Sequence, residues 1–444
     1  MKLSARCSLV ALLVCGTLVG AAEAHPVVTL VQQFSSQPAK GAAAKPVSSE
    51  FPMRVTLGRK YIAVDANDLR RIYDFEHRRL YELNLKTKTY RDASLYSVLA
   101  GKQLEVQNQL RMGSILGEAK VQNGVLEVPQ IEHQFSVTIE EDGAKIDTAR
   151  AKGTTVYSWK GKEWLAISDG TRSLPEDSQR EYWQWLRYTV GGHPKIYADM
   201  EKRSGVPELI RVTYNAVGEQ TYTLKLTTVT NEPDAAFSLQ GFTRSELNRE
   251  PWPTLKKVSS DPHAGLLAST AAAKKDRDAA LAQGKLLDAA LAHFTYALST
   301  GDSDNNWLVS VRDRMEKDPD AQAFASSLSS KDADAAARAV KRLTDLRAKT
   351  TSQYAYLLDV FAANHEGTLR HGTASEKLFL SALAANPYLT GAWFDLGKLY
   401  YRNSRAREAW ACWDIARAMD AEHPFAKEIN TLEKQMADDN PVYF

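Results

Sequence analysis

Alternating hydrophobic and polar residues mark the chain from residue 53 to residue 92. The runs Met53–Leu57, Lys60–Asp65 and Leu69–Asp74 are short, and turn residues such as Gly58 and Asn67 separate them. Alternation of this kind places every second side chain on the same face of a strand, and short strands between turn residues form antiparallel meanders. This part of the chain is therefore predicted to form an antiparallel sheet.

Further strands and two helices complete the predicted N-terminal domain. Asp142-Gly143 separates two strand-like runs, as in a β-hairpin. One helix is predicted over residues 94–112, and a second one from the capping box Ser173-Leu-Pro-Glu176 to Tyr188. The pattern predicts an α+β domain over residues 53–245, whose sheet has a half-barrel as one possible form. The apolar face of the second helix carries Tyr182, Trp183, Trp185, Leu186 and Tyr188.

The pattern changes after a proline-containing segment. Residues 246–262 include Pro251 and Pro253 and are predicted to link two domains. From residue 263 onward the strand pattern is absent, and apolar residues recur at helical spacing. Residues 263–444 are therefore predicted to form an all-helical domain.

The helical domain contains an internal repeat with a period of about 34 residues. Phe379 precedes Trp413 by one period, and Ala382 precedes Ala416 by the same interval. Gly397 is expected to let the second helix of its copy approach closely, because it has no side chain. The second copy carries the pattern Trp393-x2-Leu396-Gly397-x2-Tyr400, followed by Ala409-x3-Trp413-x2-Ala416.

This pattern resembles the tetratricopeptide (TPR) repeat, with copies at residues 356–389 and 390–423. The first copy departs from the family pattern, because Asp359 and Ala363 stand where tryptophan and glycine are expected. TPR domains generally bind protein or peptide partners in a groove that the first helix of each repeat lines. The resemblance therefore implies a partner-binding surface at Phe394, Lys398, Tyr401 and Arg402.

Residues 53–245 resemble periplasmic lipoprotein-carrier (LolA/LolB-like) domains. The resemblance lies in the opening meander, the helix after Ser94 and the ending Pro233-Asp-Ala-Ala-Phe237-Ser-Leu239. Domains of that family often enclose an apolar cavity for acyl chains, which implies carriage of a lipid or lipidated protein as an alternative function. The aromatic helix around Trp183 would line such a cavity or form core, and core is favoured because aromatic residues at helical spacing usually pack.

The first 24 residues have the features of a secretory signal. Lys2 and Arg6 precede the apolar run Leu9–Val19, and Ala22-Glu23-Ala24 is a small-x-small cleavage pattern. The protein is therefore expected to be periplasmic or secreted, with no transmembrane segment after signal cleavage. Residues 25–31 are predicted to form a short extended run, and residues 32–50, which are rich in Ser, Ala, Lys and Pro, a flexible tether. Residues 25–52 as a whole are therefore predicted to be a flexible N-terminal segment.

Cleavage after Ala24 would also make His25 the first residue. A terminal histidine can offer its amine and its ring to copper, so a copper protein or enzyme is a third alternative. His365 and His371 lie near a helix connection without a third ligand, and they are predicted to be surface histidines. Cys412, the cysteine left after cleavage, is expected to be buried between two tryptophans.

Composition and motifs narrow the function further. The 444 residues include 56 basic and 54 acidic ones, so the net charge of +2 gives no field that would attract nucleic acid. The familiar catalytic and phosphate-binding motifs are absent, so no catalytic residue, metal or cofactor is predicted. The function expected from the sequence is that of an exported, non-enzymatic interaction or scaffold protein of the bacterial cell envelope.

Overall fold

The structure, a computed structural model, confirms an α+β sheet half followed by an all-helical half. The predicted signal segment, His25 and the Asp142-Gly143 hairpin lie outside the residues that it describes. The described residues are 27–38, 51–104, 146–159, 161–190, 194–214, 220–232 and 237–444.

The strands of the sheet half follow the predicted meander and hairpin segments. Their bounds are β1 Val27–Pro38, β2 Phe51–Gly58, β3 Tyr61–Ala66, β4 Leu69–Asp74, β5 Arg79–Asn84, β6 Thr89–Ser94, β7 Asp147–Ala151, β8 Thr154–Trp159, β9 Lys162–Ser168, β10 Thr171–Arg172, β11 Val206–Pro207, β12 Leu209–Tyr214, β13 Gln220–Glu232 and β14 Thr243–Arg244. Strands β10 and β11 form a separate small pair, and the described strands of the main sheet have the order β14-β6-β5-β4-β3-β2-β1-β13-β12-β9-β8-β7. The two ends of this order do not pair with each other, so the described sheet is open.

Strand β1 lies at the centre of the sheet. Its whole length pairs antiparallel with β13, and residues 28–34 pair antiparallel with β2 on the other side. Strand β1 begins inside the extended run predicted over residues 25–31 and continues through residues 32–38, where the prediction of a flexible segment is wrong. Residues 32–38 are mostly polar, but their backbone groups pair with β13 and, as far as Phe34, with β2, which composition does not reveal.

Among the described residues, three helices accompany the sheet half: α1 over residues 95–104, α2 Glu176–Thr189 and α3 Pro194–Met200. The alternation of β3 sends Ile62 and Val64 into the core shared with these helices, while Tyr61 faces the opposite side of the sheet. Helix α2 ends one residue after the predicted position. The predicted capping box is not formed, because α2 begins at Glu176 with Pro175 in the capping position, and proline has no side-chain acceptor.

The segment that ends the sheet half covers the outer face of the meander. Phe237 contacts Tyr61 edge-to-face, with 5.4 Å between ring centroids, and Leu239 and Phe242 pack on the same small cluster. Strand β14 then pairs parallel with β6 at the edge of the described sheet. The meander is thus covered by apolar side chains on both faces.

The helical half begins within the predicted linker. The bounds are α4 Trp252–Leu255, α5 Pro262–Ala282, α6 Leu286–Thr300, α7 Asn305–Met315, α8 Pro319–Ala325, α9 Ala333–Lys349, α10 Tyr356–Thr368, α11 Gly372–Ala385, α12 Thr390–Arg402, α13 Ala406–Met419 and α14 Pro424–Asp439, followed by a 3-10 turn at Pro441–Tyr443. The bounds of α12 and α13 follow those of α10 and α11 by one period of the sequence repeat. The linker itself is packed, since the backbone oxygen of Glu250 accepts a hydrogen bond from Arg405 at 3.1 Å.

Gly397 is a point of close approach between α12 and α13. A Cβ atom on this residue would lie 2.1 Å from Nε1 of Trp413, a ring that is 1% exposed. The Trp413 ring donates a hydrogen bond to the backbone oxygen of Phe394 at 3.2 Å, which fixes its position. The absence of a side chain at Gly397 is therefore a packing requirement.

We expect Gly397→Ala to lower the free energy of unfolding by about 2–3 kcal/mol, because the methyl group forces the buried Trp413 ring aside. Gly367 in α10 is the matched control, since a Cβ there meets only Ser375 Oγ at 3.5 Å. Gly367→Ala should be neutral or stabilising by up to about 1 kcal/mol through its higher helix propensity. Urea unfolding measures the free energy of unfolding of both variants. If both variants lost the same amount of stability, the packing requirement at Gly397 would be contradicted.

The C-terminal segment joins the two halves. Tyr443 is fully buried, and its ring meets Tyr188 of α2 edge-to-face at 4.9 Å. The Tyr188 hydroxyl donates a hydrogen bond to the backbone oxygen of Tyr443 at 2.7 Å. Phe444 stacks on Tyr96 of α1 at 4.7 Å. These contacts make the helical half part of the core of the sheet half.

Tyr443→Ala should lower the free energy of unfolding by about 3–4 kcal/mol, because it leaves a large cavity between the halves. Tyr443→Phe keeps the ring and should cost about 1 kcal/mol, the net contribution of one hydrogen bond. The bond concerned is a long one, 3.5 Å from the Tyr443 hydroxyl to the backbone oxygen of Arg187. Denaturant unfolding followed by tryptophan fluorescence gives both values. If the alanine variant were as stable as the phenylalanine variant, the segment would not hold the halves together.

Candidate functional site

The groove face of the repeat helices is covered by helix α6 of the same chain. A Cβ on Gly391 in α12 would lie 2.6 Å from Cδ1 of Leu298, so α6 and α12 are in close contact. Phe294 of α6 also meets Phe361 of α10 edge-to-face at 5.9 Å. The surface where the TPR resemblance places a partner is therefore largely occupied within the molecule.

Helix α14 and the residue before it cover the next part of this face. Phe394 is fully buried, and its ring lies 5.4 Å from His423 and 6.1 Å from Phe425. The prediction that Phe394 contacts a partner is wrong for this arrangement, because the side chain has no exposed surface. The sequence could not show this, since the covering side chains belong to a later helix and follow at no recognisable spacing.

The other three predicted contact residues lie nearer the surface. The Lys398 side chain is 30% exposed, pairs with Glu428 of α14 at 2.7 Å and lies over the Phe425 ring. Tyr401 is half-buried and contacts Trp410 and Trp413. Arg402 is exposed at the end of α12. Partner binding by these three residues stays a prediction.

A row of polar side chains remains at the open end of the groove. Asn364 of α10 donates a hydrogen bond to Asp395 of α12 at 3.1 Å, and Lys398, Arg402 and Glu428 lie beyond this pair. Asn364 and Lys398 occupy equivalent positions, one repeat period apart. Burial raises the pKa of the Asp395 carboxyl, and the hydrogen bond from Asn364 partly offsets this. A half-buried carboxylate beside exposed cations can accept and orient polar groups of a bound chain.

The predicted surface histidines differ in their surroundings. His365 is buried, with Nε2 2.8 Å from the backbone oxygen of Ser327 and Nδ1 3.2 Å from Ser330 Oγ. The prediction of a surface position is therefore wrong for His365. His371 is exposed, and its Nδ1 lies 2.6 Å from Oε2 of Glu366. Within the described residues, no cluster of His, Cys, Asp and Glu has the composition of a metal site. Cys412 is buried as expected, and burial raises the pKa of its thiol.

The aromatic helix of the sheet half forms core. Tyr182, Trp183 and Trp185 are at most 1% exposed, and the Tyr182 ring lies 5.3 Å and 5.4 Å from the two indole rings. The clefts found beside this helix are lined mainly by polar and charged residues such as Arg59 and Arg180. An apolar chamber for acyl chains is not present among these clefts.

A charged cleft lies between the two halves, where sequence reasoning placed no site. Arg79 of β5 donates to Asp414 of α13 at 2.6 Å, and it also pairs with Asp92 of β6. Arg244 of β14 donates to the same Asp92 at 2.8 Å. The cleft has a volume of about 380 Å³ and is lined by these four residues among others, whose ion pairs are called the floor pairs below.

Both halves and the linker contribute to the walls of this cleft. Arg407 of α13 lines it and pairs with Glu82 of β5 at 2.9 Å. Lys256, which pairs with Glu246 at 3.2 Å, and the exposed Arg91 of β6 also line it. The two halves contribute residues from opposite ends of the chain, so no local motif could have revealed the cleft. The closest signal in the sequence was the concentration of arginine in the segment 402–407.

The chain matches no family model, and no curated protein matches it either. Among the helices that the structure describes, none combines the length and apolar character needed to cross a bilayer.

One further titratable group in the helical half is buried against a tryptophan. His293 of α6 is fully buried and stacks on Trp307 with 4.1 Å between ring centroids. Burial, followed by the nearby Arg277 charge, lowers the pKa of His293 to about 4. The folded protein therefore favours the neutral ring.

The stability of the protein should fall between pH 6.5 and pH 4 because of His293. The unfolded chain binds a proton at this residue near pH 6.5, but the folded protein does so only near pH 4, so acid favours unfolding. The protonation of His293 is expected to lower the free energy of unfolding by about 2–3 kcal/mol over this pH range. His293→Phe keeps the stack on Trp307 and removes the titration. Urea unfolding at pH 7 and pH 4.5 should show that the free energy of unfolding falls less for the variant than for the unchanged protein. An equal fall in both proteins would contradict the lowered pKa of His293.

Proposed function

We propose that the protein is an exported, non-enzymatic interaction protein of the bacterial cell envelope and that its repeat helices are of the TPR type. It binds a protein partner at the open end of the groove, where α10 and α12 present Asn364, Asp395, Lys398 and Arg402. Export is inferred from the signal-like residues 1–24 and binding from the repeat. The close packing of α12 and α13 at Gly397 supports the TPR assignment, because the repeat pattern has glycine at this position to allow such packing.

One observation carries this proposal: the groove is covered along its apolar part and left open along its polar part. Helices α6 and α14 bury Phe394 and pack against Gly391, whereas Arg402 is exposed and the Lys398 side chain is 30% exposed. A partner at the open end would meet cations and a half-buried carboxylate. Such a surface selects its partner through charge and hydrogen bonds rather than through apolar area.

Site-specific crosslinking tests this surface. The full chain is expressed in an exporting host with a photoreactive residue in place of Arg402. This variant should crosslink one envelope protein in stoichiometric amount, whereas a variant with the photoreactive residue in place of Arg312 should not. Arg312 is the matched control because it is an exposed arginine near the end of α7.

The crosslinked protein is then purified and its affinity is measured by calorimetry. The double variant Lys398→Ala/Arg402→Glu should weaken binding about tenfold or more, because it removes two charges and adds a repulsive one. Arg312→Glu should bind within twofold of the unchanged protein. Equal affinity of the double variant and the unchanged protein would show that the open end of the groove is not the binding surface.

A further inference from the structure

We propose that the charged cleft between the two halves binds an acidic peptide segment that also carries apolar side chains. This site goes beyond the proposed function, because it lies on α13 and the sheet edge and not on the groove face of α10 and α12. The cleft is formed by β5, β6, β14, the segment 245–259 and α13. It therefore exists only when both halves are in contact.

The charge of the cleft favours an anionic ligand. Five cationic side chains line it, against three carboxylates. Arg79 and Arg244 pair with Asp92 or Asp414, Lys256 pairs with Glu246 and Arg407 pairs with Glu82, whereas Arg91 is exposed and has no ion pair within the described part of the chain. The five cations are Arg79, Arg91, Arg244, Lys256 and Arg407.

The ion pairs at the floor also hold the arginines in place. Arg79 is held between two carboxylates from different halves, and Arg244 is tied to one of them. Guanidinium groups held this way are already oriented before a ligand arrives, so binding costs little side-chain entropy. The charged part of the cleft is therefore ordered before a ligand arrives.

One wall of the cleft is apolar. Trp252 and Leu255 of the linker face the cleft together with Ile415 of α13. A free inorganic anion would leave these side chains without a partner, and a volume of about 380 Å³ is within the range of sites for larger ligands. The combination of cations and an apolar wall fits a short segment with alternating acidic and apolar residues.

The sheet edge supplies backbone groups at the same place. Thr243 and Ser245 donate their backbone N–H groups to the backbone oxygens of Lys88, which directly precedes β6, and of Tyr90 in β6. Successive backbone groups of a strand point in opposite directions, so the N–H and C=O of Arg244 point away from β6. β14 is the edge strand of the described sheet and lines the cleft. An extended peptide can therefore pair with the strand edge while its side chains reach the cations and the apolar wall.

Fluorescence anisotropy with a defined probe tests the site. The probe is a labelled, end-blocked heptapeptide of alternating aspartate and leucine, added to the full-length protein at 50 mM salt. We expect saturable micromolar binding that weakens at least fivefold at 300 mM salt, because screening reduces the attraction. The same peptide with lysine in place of aspartate should not bind.

The double variant Arg91→Ala/Lys256→Ala should weaken probe binding at least tenfold. Both side chains are exposed, and neither takes part in the floor pairs, so the variant should keep the unfolding midpoint of the unchanged protein. Arg312→Ala is the control and should bind within twofold. Equal probe binding by the double variant, or no binding by the unchanged protein, would overturn the proposal.

Citrate and inorganic phosphate distinguish a peptide site from a site for a small anion. Either ion should displace the probe only at millimolar concentration, because neither fills the apolar wall. Displacement at micromolar concentration would overturn the peptide assignment. Failure of the probe experiment would leave partner binding at Arg402 untouched, because the two surfaces are tested with different variants.

Discussion

The sheet half depends on the pairing of β1 with two distant strands. β1 is the only connection in the described strand order between the meander β2–β6 and the strands β7–β9, β12 and β13. Without it, each group would have a long unpaired edge, and unpaired edges are costly and prone to aggregation. The side chain of Thr227 adds a hydrogen bond to the backbone oxygen of Val31 at 2.7 Å. The surface on which helices α1 and α2 pack exists because this strand makes one sheet out of two.

The helical half is held on this sheet by ion pairs and ring contacts that adjoin one another. Arg79 pairs with Asp414, its neighbour Arg78 lies over the Phe444 ring, and Tyr443 enters the core beside Tyr188. Together with the pair between Arg407 and Glu82, these contacts restrict rotation of one half about the other. The interdomain cleft and the exposed end of the groove therefore keep a constant position relative to each other, as a protein that holds two ligand segments at once would require.

The sequence allowed prediction wherever the pattern was local. The meander at residues 53–92 and the helix pairs of the repeat were correctly predicted, because the spacing of apolar residues within each element decides them. The strand Val27–Pro38 was predicted only as an extended run up to Val31, and its continuation was missed because neighbouring strands, not its composition, order that part. The burial of Phe394 and the arginine cleft depend on contacts between residues far apart in the chain, and neither contact has a local signal.

The position of helix α6 has a consequence for how the helical half unfolds. In an ordinary solenoid each repeat touches only its neighbours, so terminal repeats fray independently. Here the backbone oxygen of Leu298 lies 3.3 Å from Nε2 of His423, although the two residues are far apart in the chain, and α6 spans the groove between them. Contacts of this kind join the first helices of the array to its last ones. Fraying from either end must first displace α6, so the repeats of this half should be lost together.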